Sequence, residues 1–185
     1  MSRVILSTNV TLDGFMAGPN GELDWHFANW NKEIEKYAFE QLKAMGTILA
    51  GRVTYQSMGG HFSSQTDEFS QMMNALPKIV FSKTLEKGEW NNSRIVKGGI
   101  AEEIGRLKQQ PGKDMIMWGG VSIVHAFIQQ DLIDEYRFWV NPVILGSGKP
   151  LFKDMDNRRE LKLRHSQTFG SVVLLCYEPN REQPK

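Results

Sequence analysis

The stretch Asp114–Ile128, read as D-M-I-M-W-G-G-V-S-I-V-H-A-F-I, constrains this chain more than any other. Met115, Ile116, Met117 and Trp118 form an apolar run that reads as a buried strand. The run stops at Gly119-Gly120, and Val121, Val124 and Ile128 then recur at helical spacing. A strand that turns directly into a helix through two glycines exposes backbone. The helix start also offers free N–H groups and a positive dipole end. Two readings fit: a tight strand-to-helix turn, or a site for phosphate or pyrophosphate.

The same junction recurs upstream. Thr47–Ala50 is a β-prone run that ends at Gly51-Arg52-Val53-Thr54-Tyr55, where Arg52 and Thr54 add side-chain donors to a helix start. Pro77 opens the strand Lys78–Phe81, which ends at Ser82-Lys83-Thr84, a third place with hydroxyl and ammonium donors for an anion. Around these lie a first strand over Arg3–Thr11 and a helix over Asn31–Met45, capped by Asn29 or Asn31. A polar loop over Gly59–Thr66 and a short helix over Asp67–Ala75 follow. A strand over Arg94–Lys97 leads through Gly98-Gly99 to a helix that stops near Pro111-Gly112. Such alternation predicts an α/β domain with a largely parallel sheet, whose ligands bind at the carboxyl ends of the strands. All three anion candidates sit at strand ends, so they are expected on one edge.

After Asp131 the pattern changes. Ile133–Asn141 alternates, Pro142–Phe152 is a kinked extended segment, and Glu160–His165 and Ser171–Glu178 flank the turn Phe169-Gly170 as an antiparallel terminal hairpin. Gly146-Ser147-Gly148-Lys149 lacks the upstream glycine of a phosphate loop and is followed by proline, so a Walker motif is rejected. Leu12–Gly21 is a long ordered loop with three glycines, which runs on to Glu22, Asp24, Trp25 and Trp30. No linker, repeat or second domain is visible, and one domain over residues 1–185 is expected.

Charge narrows the partners. A net charge of +1 with no basic stripe points to neither nucleic acid nor an anionic membrane. No apolar run approaches a membrane span and the N-terminus carries no signal h-region, so a cytoplasmic protein is expected. Cys176 is the lone cysteine, and His26, His61, His125 and His165 fit no metal spacing; no metal site is expected.

Four segments, in order and in register, resemble the dihydrofolate reductase superfamily along nearly the whole chain. Met16–Trp25 resembles its glycine-and-tryptophan active-site loop and Gly51–Ser57 its Gly-Arg/Lys-x-Thr-Trp-x-Ser segment. Phe81–Leu85 resembles its Ser-Arg stretch, and Trp118-Gly119-Gly120 its Gly-Gly before a helix. Thr11–Gly14 and Pro142–Phe152 look like the reductase domain of the riboflavin-biosynthesis deaminase–reductase and its stand-alone bacterial relatives. The resemblance implies a three-layer fold with a mostly parallel central sheet, helices on both faces and an antiparallel C-terminal hairpin.

The same resemblance implies NADPH. By motif, Gly119, Gly120, Val121 and Ser122 would hold the pyrophosphate from one helix start. Gly51, Arg52 and Thr54 would hold it from the other and help with the 2′-phosphate. Ser82 and Lys83 would bind the adenosine 2′-phosphate, and Ala17 would meet the nicotinamide carboxamide. Phe15, Trp25 and Trp30 would wall a slot for a small polar heterocyclic substrate. Possible activities are reduction of 5-amino-6-(5-phosphoribosylamino)uracil in riboflavin biosynthesis, reduction of a pterin, or NADPH binding without turnover. The acidic residue that follows the loop tryptophan by five positions in dihydrofolate reductases is Trp30 here, which weakens the case for folate. Asp24 and Asp13 are the candidate catalytic carboxylates, with turn capping an equal reading for Asp13. Relatives of the riboflavin branch also imply a homodimer.

Overall fold

Buried β-prone runs form the strands, and side chains or glycines start the helices. The computed structural model describes residues 1–180. In chain order it contains β1 (Val4–Thr11), β2 (Phe15–Ala17), α1 (Asp24–Ala28), α2 (Lys32–Ala44), β3 (Met45–Gly51) and α3 (Arg52–Phe62). Next come α4 (Glu68–Ala75), β4 (Lys78–Phe81), β5 (Ser93–Val96), α5 (Ile100–Gln109) and β6 (Asp114–Met117). The chain continues through α6 (Val121–Gln129), β7 (Glu135–Asn141), β8 (Lys149–Pro150), β9 (Leu161–Phe169) and β10 (Val172–Pro179). Asn31 caps α2 by accepting from the Glu33 and Ile34 N–H groups, and Asp67 caps α4 by accepting from Ser70.

Eight strands form one sheet in the order β5-β4-β3-β6-β1-β7-β10-β9. Pairing is parallel from β5 through β7, and antiparallel from β7 to β10 and β9. This is the expected mostly parallel sheet with an antiparallel hairpin. One apolar cluster joins Leu6, Val10 and Met117 to α5 and α6 through Ile104, Val124 and Phe127. A second joins Ile5, Ile48 and Val80 to α2, α3 and α4 through Leu42, Tyr55 and Met73. A third seats Ile34 and Tyr37 of α2 against Trp139, Phe169, Leu174 and Cys176. Helices therefore cover both faces, and Cys176 is core.

Four segments depart from expectation. The loop expected over Gly59–Thr66 is helical to Phe62, because Gly59 lets Trp90 pack flush, with its ring 3.5 Å from where a Cβ would stand. The Leu12–Gly21 loop contains β2, which pairs antiparallel with β8, Phe15 opposite Pro150 and Ala17 opposite Lys149. Within the kinked segment Pro142–Phe152 only Lys149–Pro150 pairs as a strand, with bends at Pro142, at 146–148 and at 151–152. A short helix, α1, follows the glycine loop and buries only Trp25.

Candidate active site

Because β1, β3, β4, β6 and β7 run parallel, their carboxyl ends share one edge. Gly51 is the register partner of Phe81, so Arg52 and Ser82 leave the sheet side by side. β6 lies on the other side of β3, and its Gly119-Gly120 turn completes the row.

Two helix starts meet at this edge. Gly119 has φ +151° and Gly120 φ +89°, conformations that favour glycine. A Cβ on Gly120 would lie 2.7 Å from Thr54 Oγ1, and one on Gly51 3.2 Å from Ile123 Cγ2. The N-terminus of α3 therefore presses against that of α6. Neither has a side-chain cap, in contrast to α2 and α4. The first N–H groups of each, including Val121 and Ser122 in α6, have no intrahelical acceptor. This glycine cradle fits an anionic group that spans two helix dipoles, as a diphosphate does. Arg52 donates only to Gln56 Oε1, at 3.0 Å, and its exposed guanidinium has no carboxylate partner among the described residues. The Ser82 hydroxyl oxygen accepts from the Leu85 N–H at 3.0 Å, which leaves its hydrogen to donate outward beside exposed Lys83.

The other half of the edge is the β1–β2 turn. Asp13 accepts from the Thr11 hydroxyl at 2.7 Å, the Gly146 N–H at 2.8 Å and the Leu145 N–H at 3.2 Å. The Thr11 hydroxyl, helped by these N–H groups, holds the Asp13 carboxyl below the usual range. Asp13 thus ties the turn to the 142–148 bend as an ionised acceptor. Ala17 is buried, and a Cβ on Gly148 would collide with its carbonyl oxygen. His125 of α6 donates from Nε2 to the Pro150 carbonyl at 2.9 Å, so the glycine-turn helix also holds β8 and, through it, β2. The following loop closes on itself: Glu22 accepts from the Asn20 backbone N–H and side-chain Nδ2 at 2.9 and 2.8 Å.

The expected aromatic slot is spread out. Trp25 is buried and its Nε1 has no partner among the described residues, Phe15 is half-buried, and Trp30 is exposed with its ring edge-on to His26. No ring contact joins the three. Asp24, the first residue of α1, is exposed. Burial pushes the His26 imidazole down from its usual value. A buried polar set on β1, α2 and β7, made of Ser7, Gln41 and Trp139, carries no sequence motif. Alternation along β1 signals its facing, but its contacts cross more than 30 residues of chain.

A sheet of this order, with paired uncapped helix starts at its carboxyl edge, defines a dihydrofolate-reductase-like α/β protein. Residues 2–175 match the RibD C-terminal domain, and the chain belongs to that family. It is 37% identical to the uncharacterized protein YyaP of Bacillus subtilis (strain 168) over 184 residues, 96% of this chain and 95% of that protein. The fold is shared with a putative riboflavin biosynthesis protein from Shewanella sp. PV-4 at TM-score 0.80 and 23% identity, covering 97% of this chain and 99% of that one. It is also shared with dihydrofolate reductase from Enterococcus faecalis complexed with NADP(H), at TM-score 0.60 and 15% identity, with 96% of each chain covered. No described helix is long and apolar enough to cross a membrane.

Proposed function

We propose that this protein is an NADPH-dependent reductase. It would deliver a hydride to a carbonyl or imine carbon of a small polar heterocycle, with 5-amino-6-(5-phosphoribosylamino)uracil of riboflavin biosynthesis as the specific candidate. The observation that carries this reading is the approach of Thr54 to Gly120, which joins two uncapped helix starts beside Ser82 and Lys83. Gly119, Gly120, Val121 and Ser122 would hold the pyrophosphate on one side and Gly51, Arg52 and Thr54 on the other. Ser82 and Lys83 suit a phosphate monoester, by a hydroxyl donor and a point charge. NADPH, when bound, supplies the hydride. Ala17 on β2 would fix the nicotinamide carboxamide, while Phe15, Trp25 and Trp30 bound the substrate side. Asp13 is fully engaged as an acceptor, and its role in this reading is to hold the loop. Asp24 is the remaining carboxylate, and it faces solvent, so the proton would come through water. Homodimer formation and a cytoplasmic setting are part of the same proposal.

A second reading, an NADPH-binding protein without turnover, is favoured by one fact: among the described residues, no carboxylate at this edge is both buried and free to donate a proton. One experiment separates the two. Titration with NADPH is followed by tryptophan fluorescence, for which half-buried Trp118 beside Gly119 is the reporter, and by thermal shift. NADPH oxidation is then measured with pyrimidine, pterin and aldehyde substrates. Saturable binding with oxidation supports the reductase, and binding without oxidation supports the second reading. Absence of both a fluorescence change and a thermal shift refutes each.

A further inference from the structure

β2 and β8 form a ribbon of three and two residues, too short to hold its own place. Tertiary ties fix it. On the β1 side, Asp13 accepts from the Leu145 and Gly146 N–H groups, and the Leu151 N–H donates to the Gly14 carbonyl at 2.9 Å. The other ties run to α6. Met16 and Leu151 share an apolar cluster with Ile123 and Val124, and Met16 Cε stands 4.0 Å from where a Cβ on Gly119 would lie.

Among the described residues, one hydrogen bond joins this ribbon to α6, from His125 Nε2 to the Pro150 carbonyl at 2.9 Å. A carbonyl only accepts, so Nε2 carries the hydrogen. The carbonyl is open to it for a local reason. Pro150 stands opposite Phe15, whose N–H is spent on the Thr11 hydroxyl oxygen at 2.9 Å. Proline has no N–H to offer in return. The cross-strand pair is thus left unmade on the β8 side, and α6 supplies the donor that β2 does not.

His125 lies about one helical turn beyond Val121, at the helix start proposed to hold the pyrophosphate. Ala17, proposed to meet the nicotinamide carboxamide, is on the strand that pairs with β8. The bond therefore joins the two elements that bear on opposite ends of one cofactor. Hydride transfer depends steeply on that span, since a misplacement of about 1 Å costs roughly a hundredfold in rate.

We propose that His125 is a positioning residue: its bond to the Pro150 carbonyl locks the β2–β8 ribbon to α6, and so sets the nicotinamide end of the cofactor against its pyrophosphate end. The inference rests on the NADPH reading, so its test reads the two ends of the cofactor apart.

The probes are NADPH and 2′-phospho-ADP-ribose, which keeps the adenosine, its 2′-phosphate and the pyrophosphate but lacks the nicotinamide. Each is titrated calorimetrically into the full chain. His125→Phe keeps a ring and removes the donor. It is expected to weaken NADPH roughly tenfold and to leave 2′-phospho-ADP-ribose within about twofold of wild type. His125→Gln places an amide N–H at a similar reach and is expected to restore most of the NADPH affinity. A histidine that only stabilised the fold would move the melting temperature and would not separate the two ligands. Circular dichroism and melting verify each fold, and His125→Leu repeats the loss of the donor should the phenylalanine variant fail to fold. Equal losses for the two ligands, no loss in a folded variant without the donor, or no recovery in His125→Gln overturns the inference. If the wild type binds neither ligand, the NADPH reading itself falls.

Discussion

The Thr54 hydroxyl stands 2.7 Å from where a Cβ on Gly120 would lie. That approach makes the starts of α3 and α6 one cradle, and it makes Gly120 the most sensitive position at the proposed pyrophosphate site. An alanine there meets Thr54 and must also hold φ near +89°, a strain on the order of 1–3 kcal/mol. Gly120→Ala is expected to weaken NADPH at least roughly a hundredfold, since Cβ also enters the path of the pyrophosphate. Fluorescence titration measures it. Affinity within about twofold of wild type would place the pyrophosphate elsewhere.

Lys83 tests the monoester. An ammonium is a point charge without the bidentate fork of arginine. Lys83→Ala should weaken NADPH roughly tenfold and leave NADH unchanged, while Lys83→Arg should hold or improve the NADPH preference. Parallel titrations with the two cofactors decide it, and an equal loss for both would remove Lys83 from the 2′-phosphate.

The frame of this edge was legible in the sequence for a physical reason. Gly51, Ser82 and Gly119 each end a run of buried strand residues, and parallel order then puts such ends together. Two kinds of feature were not legible. β2 and β8, three and two residues long, are too short for periodicity to register, and what holds them is tertiary: the His125 bond to Pro150 and the clamp of Asp13 on Gly146. Ser7, Asn9 and Gln41 look like ordinary polar residues of a strand and a helix. Their contacts are tertiary, and Trp139 donates to Ser7 from 132 residues away.

Asp13 separates a loop anchor from a catalytic acid. Its carboxyl is held below the usual range, first by the Thr11 hydroxyl and then by the Gly146 and Leu145 N–H groups. A depressed carboxylate adds stability above the unfolded-state value, roughly pH 4, and loses it as pH falls through the lower folded value. Asp13→Asn should therefore lower the melting temperature at neutral pH and flatten the acid limb of the stability profile. If the variant turns over a substrate, its rate–pH profile should match that of the wild type. A limb missing from that profile would make Asp13 an acid in the reaction.

Lys78 opens β4 and is fully buried. Its ammonium donates to the carbonyls of Asn74, Leu76 and Asn91 at 3.0, 2.8 and 3.0 Å, and it lies 4.3 Å from the Trp90 ring centroid. It thereby ties the end of α4 to the chain entering β5, next to the strand that carries Ser82 and Lys83. Lys78→Met removes a charged donor from three carbonyls, of which that of Asn74 keeps the Asn92 amide at 3.2 Å, and should cost about 1–3 kcal/mol in denaturant unfolding. Burial pushes Lys78 down to about 8. An amine depressed in the folded state leaves the unfolded chain holding more protons between that value and the ordinary lysine range near 10.4. Wild-type stability should therefore rise with pH across that window, by at most roughly 3 kcal/mol, while the methionine variant lacks this rise. The gap between the two proteins should widen from pH 8 toward 10. A gap that stays constant would show that the three carbonyls solvate the ammonium well enough to keep it charged throughout.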